Sequence, residues 1–273
     1  MIPIKDRNPT RRFAFLTLGI IAVCVGIYFF VEPTGRSTLA QRTDSEQVDE
    51  AVWTVRHAAI PCELVERRHL TVPEVVATFQ NQDPNACAPS PPPAPPADPG
   101  KNIYLAVFFS MFLHGGLLHL GGNMLFLWVF GNNIEDRMGR LGYLVFYVVG
   151  GLAAALTHVL LQPYSTVPVV GASGAIAAVM GAYLVLFPNA EILSIVPIFL
   201  FGVFVEVRAK WLLGLWFVLQ FFISPASGIA SGAHIGGFVF GMAVALLWRR
   251  QLLAEDEPEP WAWDERRTWG TWA

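Results

Sequence analysis

The chain has 273 residues, of which 54% are hydrophobic and only 14% charged, with a mean hydropathy of +0.48. That balance is too apolar for a soluble domain of this length and points to an integral membrane protein. A formal net charge of -3 without a basic stripe argues against nucleic acid as a partner.

Taken in order, Lys5, Arg7, Arg11 and Arg12 precede an uninterrupted apolar run over residues 13–31. At 1.5 Å per residue such a run covers roughly 28 Å, enough to cross a hydrocarbon core. Residues 1–12 read as a cytoplasmic tail and 13–31 as a first span, too long for the core of a signal peptide and without a cleavage site directly after it. Residues 32–103 read as a long extracytoplasmic loop, with a small folded part around 52–79 and a proline-rich run over 89–99 that favours extended backbone. Cys62 and Cys87 fall in this loop; their spacing leaves open whether they pair, which an oxidising compartment would allow. Cys24 sits inside the first span as an apolar filler.

A short apolar stretch over 104–113 ends at His114-Gly115-Gly116, and the next span, 117–131, carries His119 and Asn123. At i and i+4 the two share one helix face. Polar groups in one turn at membrane depth are costly unless they face a cavity or a partner, so a functional site is the default expectation. The polar stretch 132–140 reads as a connector in which Glu135 pairs with Arg137 or Arg140. Span 142–161 carries His158 near its far end, read as interfacial and non-catalytic.

Span 171–187 opens with Gly171-Ala172-Ser173-Gly174 and is short for a full crossing, which would set Ser173 in a recess below the membrane surface. Gly174, Ala178 and Ala182 recur at i+4, and Ala233, Gly237, Gly241 and Ala245 repeat the pattern on the last span, 232–248. Such seams let two helices approach closely. His234 lies on nearly the same face as Gly237, so packing of the seams would bring it towards Ser173. Between them, 192–205 is short, contains Pro197 and reads as a buried or interfacial connector, and 211–223 reads as a span.

The expected fold is therefore an all-α polytopic membrane protein of six transmembrane helices, with a long proline-rich first extramembrane loop. Lys5 to Arg12, Arg137 with Arg140, Arg208 with Lys210, and Arg249 with Arg250 all fall on one side, which the positive-inside tendency makes cytoplasmic. Both termini are then cytoplasmic, the plasma (inner) membrane is the expected location, and 251–273 is a cytoplasmic tail with no legible motif.

Several short motifs occur together: Phe112-Leu113-His114-Gly115-Gly116, His119-Leu120-Gly121-Gly122-Asn123, Phe130-Gly131 with Glu135, Gly171-Ala172-Ser173-Gly174, and Ala233-His234-Ile235-Gly236-Gly237 followed by Gly241. In this order, on a multi-spanning chain, they resemble the rhomboid family of intramembrane serine proteases, with 104–250 as the catalytic core. The resemblance implies Ser173 as nucleophile and His234 as general base and acid, without a carboxylate. It also implies His119, Asn123 and the backbone amide of Ser173 as oxyanion donors. Gly171, Gly174, Gly237, Gly241 and His114 would be structural residues beside the site. Membrane-spanning proteins would be the substrates and the bilayer the second partner, and no cofactor or metal is expected. Two departures stand out: Ala177 occupies a position where some relatives carry an aromatic residue against the catalytic histidine, and the first loop lacks a clear tryptophan-arginine pair. A transporter would also bury polar groups in a bundle but needs no serine at a helix start facing a histidine. An inactive rhomboid-like binder would lose Ser173 or His234, and both are present.

Overall fold

The computed structural model describes residues 1–33, 44–88, 93–198, 201–224 and 228–254. The expected cytoplasmic tail from residue 255 onward and residues 89–92 of the proline-rich run lie outside the described residues. Strand β1 (Ile2–Asp6) and helix α1 (Phe15–Phe30) come first. A small domain follows, with α2 (Asp44–His57), α3 (Pro61–Glu66) and α4 (Val72–Phe79). Beyond it lie α5 (Ile103–Ser110), α6 (Leu117–Leu161) and α7 (Ser173–Leu186). The chain ends with β2 (Glu191–Ile198), β3 (Phe201–Arg208), α8 (Ala209–Leu219) and its 3-10 extension Gln220–Phe222, and α9 (Ser231–Leu253).

Helix α6 is two helices joined at a single residue. Gly139, at φ 69° and ψ 167°, takes a conformation that side chains disfavour, and the chain doubles back there. A methyl placed on Gly131 would lie 2.8 Å from the Tyr143 hydroxyl, so the arms on either side of the break pack together. The stretch expected as a polar connector over 132–140 is thus mostly helical. Glu135 does not tie that turn to Arg137 or Arg140. It is buried, and its carboxylate accepts from the amides of Leu16 at 3.0 Å and Thr17 at 2.8 Å and from Thr17 Oγ1 at 2.8 Å. Helix α1 has no side-chain cap of its own, so a carboxylate from another helix satisfies its free N–H groups and complements its dipole. Asp136, the next residue, holds the segment that leads into α1, accepting from Arg12 N at 3.0 Å.

The all-α expectation needs correction. Residues 1–12 contain β1, which pairs antiparallel with β2, and β2 pairs antiparallel with β3 to make a three-stranded sheet. The stretch read as a buried or interfacial connector over 192–205 falls within the β2–β3 hairpin of that sheet. Its sequence is rich in β-branched and aromatic residues, and pairing satisfies the backbone that a non-helical apolar segment would otherwise leave open.

The loop between α1 and α5 is more folded than 52–79 alone. Val55, Ile60, Cys62 and Leu70 form its small core, and Cys62 is bonded to Cys87 in a disulfide. The segment after residue 92 packs back on it, with Val72 N donating to Pro95 O at 3.2 Å and Ala97 N to Leu70 O at 2.8 Å. Thr71 and Glu74 form a capping box at the start of α4. Burial works against the Glu74 carboxylate, but Arg68 and the amides of Thr71 and Ala88 outweigh it and hold its pKa down at about 2.

Among the described residues two helices, α6 and α9, are long and apolar enough to cross a membrane, and α1, α7 and α8 with its extension are shorter apolar helices. Helices α7 and α9 meet along their small residues. A methyl on Gly237 would strike the Gly174 carbonyl oxygen, one on Gly241 that of Ala178, and one on Gly181 that of Phe238. Backbone touches backbone along this seam, and only glycine leaves the room.

Candidate active site

The seam sets the position of two polar side chains. Ser173 is the first residue of α7, so its backbone N–H is among those with no partner inside the helix. His234 stands in the first turn of α9, with Nε2 2.8 Å from Ser173 Oγ. Its other ring nitrogen, Nδ1, lies 2.8 Å from Gln220 Oε1. Gln220 is buried, and its amide nitrogen donates to Trp216 O at 2.8 Å, which turns the amide oxygen towards the histidine. An oxygen at that point accepts, so Nδ1 carries the proton and Nε2 is left as the acceptor for the Ser173 hydroxyl. Trp216 also packs on the imidazole, with ring centroids 5.6 Å apart and planes at 40°.

Trp216 and Gln220 are the residues that hold the ring in place of an aromatic side chain at Ala177. Neither was singled out from the sequence. Gln220 left a signal there, being the one polar side chain within the apolar stretch 211–223. Trp216 left none, because tryptophan in an apolar helix is unexceptional.

His119 and Asn123 approach the same point from α6. A methyl on Gly171 would lie 2.8 Å from His119 Nε2 and 3.7 Å from Asn123 Nδ2, and Gly171 itself has φ +123°. Both the backbone and the close neighbours therefore require glycine two residues before Ser173. Asn123 is buried and donates to His119 O at 3.1 Å, which leaves its second N–H free to bond elsewhere. The His114 ring is buried edge-on to that of His119, centroids 5.3 Å apart, and its amide donates to Glu32 at 3.1 Å. His114 therefore buttresses His119 and ties α1 to the site. Gly174, Gly237 and Gly241 lie in the seam below it.

His158 differs from its expected interfacial place. It is 4% exposed and lies on the wall of the same cavity as Ser173. Its position near the end of an apolar run resembled a membrane boundary, but the loop and small domain beyond cover that end. The cavity has a volume of about 1260 Å³ and takes in Ser173, His234, His119, Asn123 and Trp216.

Arranged this way, a hydroxyl, an acceptor imidazole and converging N–H donors suit acyl transfer. Comparison with known proteins supplies the family. A rhomboid domain model matches residues 101–251, more than half of the chain. The chain belongs to the rhomboid family. It is 29% identical to the rhomboid protease GlpG of Salmonella paratyphi A over 153 residues, covering 56% of this chain and 51% of that protein. It is 28% identical over 178 residues to the mitochondrial presenilin-associated rhomboid-like protein A of Danio rerio, covering 61% and 43% of the two chains. With the mitochondrial rhomboid protein 1 of Saccharomyces cerevisiae it shares 33% identity over 96 residues, 34% of this chain and 28% of that one. The chain spans about half or less of the length of these relatives. As a rhomboid it is an integral membrane protein, and its relatives include mitochondrial members as well as a bacterial protease.

Proposed function

We propose that this rhomboid is an intramembrane serine endopeptidase that cuts membrane-spanning proteins with a Ser173–His234 dyad. The observation that supports the reading is the unbroken chain of hydrogen bonds from Ser173 through His234 to Gln220. His234 Nε2 takes the proton from Ser173 as its oxygen attacks the scissile carbonyl carbon, and then passes it to the leaving amine. Water next attacks the acyl-enzyme with the same histidine as base, and the acid product leaves. Gln220 holds the imidazole in the required tautomer. As a neutral acceptor it supports the imidazolium less than a carboxylate would, and it adds no permanent buried charge to the resting site. His119, Asn123 and the Ser173 amide stabilise the oxyanion, and each such donor is typically worth about 2.7 to 4 kcal/mol.

In this reading α1, the two arms of α6, α7, α8 and α9 make six crossings. The termini and the sheet then lie on the cytoplasmic side, and the disulfide domain lies outside, where cysteines oxidise. The plasma (inner) membrane is the proposed location. The substrate supplies an extended strand by local unwinding of its helix, which small or helix-breaking residues near the cut site favour.

Co-expression with a tagged single-span reporter tests the reading. Ser173→Ala and His234→Ala are expected to abolish cleavage while the proteins still accumulate in the membrane. Undiminished cutting by the serine variant would remove the proposed nucleophile.

A further inference from the structure

Helix α4 of the small domain is built inside out. Glu74 and Thr78, one turn apart, share its inward face. The Glu74 carboxylate, 5% exposed, is enclosed by Arg68 and the amides of Thr71 and Ala88, and the Thr78 hydroxyl meets that of Thr166 at 2.6 Å. Val72, Val76 and Phe79 fall on the opposite face and are 44%, 38% and 42% exposed, with the Pro73 ring exposed beside them. A helix on the surface of a domain in water has the reverse order, apolar side in and charge out. No ionisable side chain lies on the outward face of α4, and the next carboxylate, Asp83, comes four residues after Phe79, beyond the helix end.

We infer that this face of α4 rests in the outer leaflet of the bilayer, with Val72, Val76 and Phe79 at the boundary of headgroups and acyl chains. The inference rests on the placement of the spans above and not on the catalytic step. Position favours lipid as the occupant. Thr166 comes five residues after the end of α6 at Leu161, so its contact with Thr78 holds α4 near the level where that helix leaves the membrane. Leu160, Leu161 and Tyr164 at that end are exposed as well, and a tyrosine there suits the boundary between acyl chains and headgroups. Size favours the same occupant. Parts of three side chains and a proline ring fall far short of the about 800 Å² that each partner gives to a stable protein interface, whereas lipid requires no matching surface. The small domain also borders the Ser173 cavity through Pro84, Asn85 and Cys87, so docking sets the height of that rim against the bilayer.

Spin-label accessibility in the full chain tests this. Val76→Cys, Phe79→Cys, Asp49→Cys and Leu156→Cys are made singly; Cys24 is buried and Cys62 is bonded to Cys87, so the introduced thiol takes the label. Each protein is placed in bilayers of phosphatidylethanolamine and phosphatidylglycerol. Collision rates are measured with oxygen, which concentrates in lipid, and with a water-soluble nickel chelate. Exposed Asp49 on α2 supplies the aqueous reference, and exposed Leu156 on α6 the lipid reference. The oxygen-to-nickel ratio at Val76 and Phe79 is expected to exceed that at Asp49 severalfold and to approach the value at Leu156. A ratio equal to that at Asp49, with both collisions frequent, means water and overturns the docking. Rare collisions with both probes mean a protein neighbour, from this chain or a second copy, and overturn it as well. A water-like ratio at Leu156 overturns the span placement, and the docking with it.

Discussion

The seam between α7 and α9 and the disulfide domain above it are held together by opposite means. The seam contains no charged group and owes its closeness to absent side chains: glycines at 181, 237 and 241 let carbonyl oxygens of one helix touch the other. In the domain a core of few residues is supplemented by the Cys62–Cys87 disulfide, the Arg68–Glu74 pair and a buried Lys101–Glu63 pair. The contrast follows from the solvent. Between apolar helices in lipid the hydrophobic effect offers no gain, so packing and dispersion decide. A domain of this size in water cannot bury enough apolar surface and needs covalent and ionic cross-links.

The largest effect is expected from filling the seam. Gly241→Val drives a branched side chain into the Ala178 carbonyl, which belongs to a helix backbone and cannot step aside. A loss of about 3 kcal/mol or more is expected, read as loss of heat-stable protein in detergent together with loss of serine labelling. Native stability in that variant would contradict the tight seam.

Removing the disulfide in Cys62→Ser, Cys87→Ser should cost the small domain about 2 to 4 kcal/mol and leave the seam intact. Limited proteolysis should then cut within residues 44–103 while α6 to α9 stay protected. Equal resistance in both proteins would show that the ion pairs suffice.

Gln220→Ala connects the two kinds of order, because it removes a polar contact from inside the apolar bundle. It should lower kcat by about tenfold with little change in KM, since the histidine loses its orientation and not its position. An unchanged kcat would deny Gln220 its positioning role.

The smallest effect concerns pH. The Glu74 carboxylate has a folded pKa lowered from 4.5 to about 2, so its contribution is present above 4.5 and is lost as pH falls through that window. The domain should become susceptible to pepsin across this range, and Glu74→Gln should be susceptible already at its upper end. The same acid sensitivity in both would place the titration elsewhere.

Much of the site was legible because its chemistry is written in local runs. A serine between glycines, a histidine in a small-residue seam and the His119–Asn123 pair each stand out against an apolar background. The sheet was not, since an apolar stretch with one proline fits a buried connector as well as a hairpin, and its pairing with Ile2–Asp6 joins segments nearly two hundred residues apart. Glu135 misled for a related reason: arginines two and five residues away were the nearest positive charges in sequence, whereas its partners are backbone amides of α1 and the Thr17 hydroxyl.

By itself, the order of residues determined that the chain is apolar enough for a membrane, where its main apolar helices fall, and which side chains are candidates for chemistry. Such properties depend on composition, periodicity and near neighbours. Only the tertiary structure decided that Gln220 and Trp216 hold His234, that the cysteines join, and that the small domain borders the cavity. Those are contacts between distant segments, and many alternative pairings are compatible with the same local pattern until packing selects one.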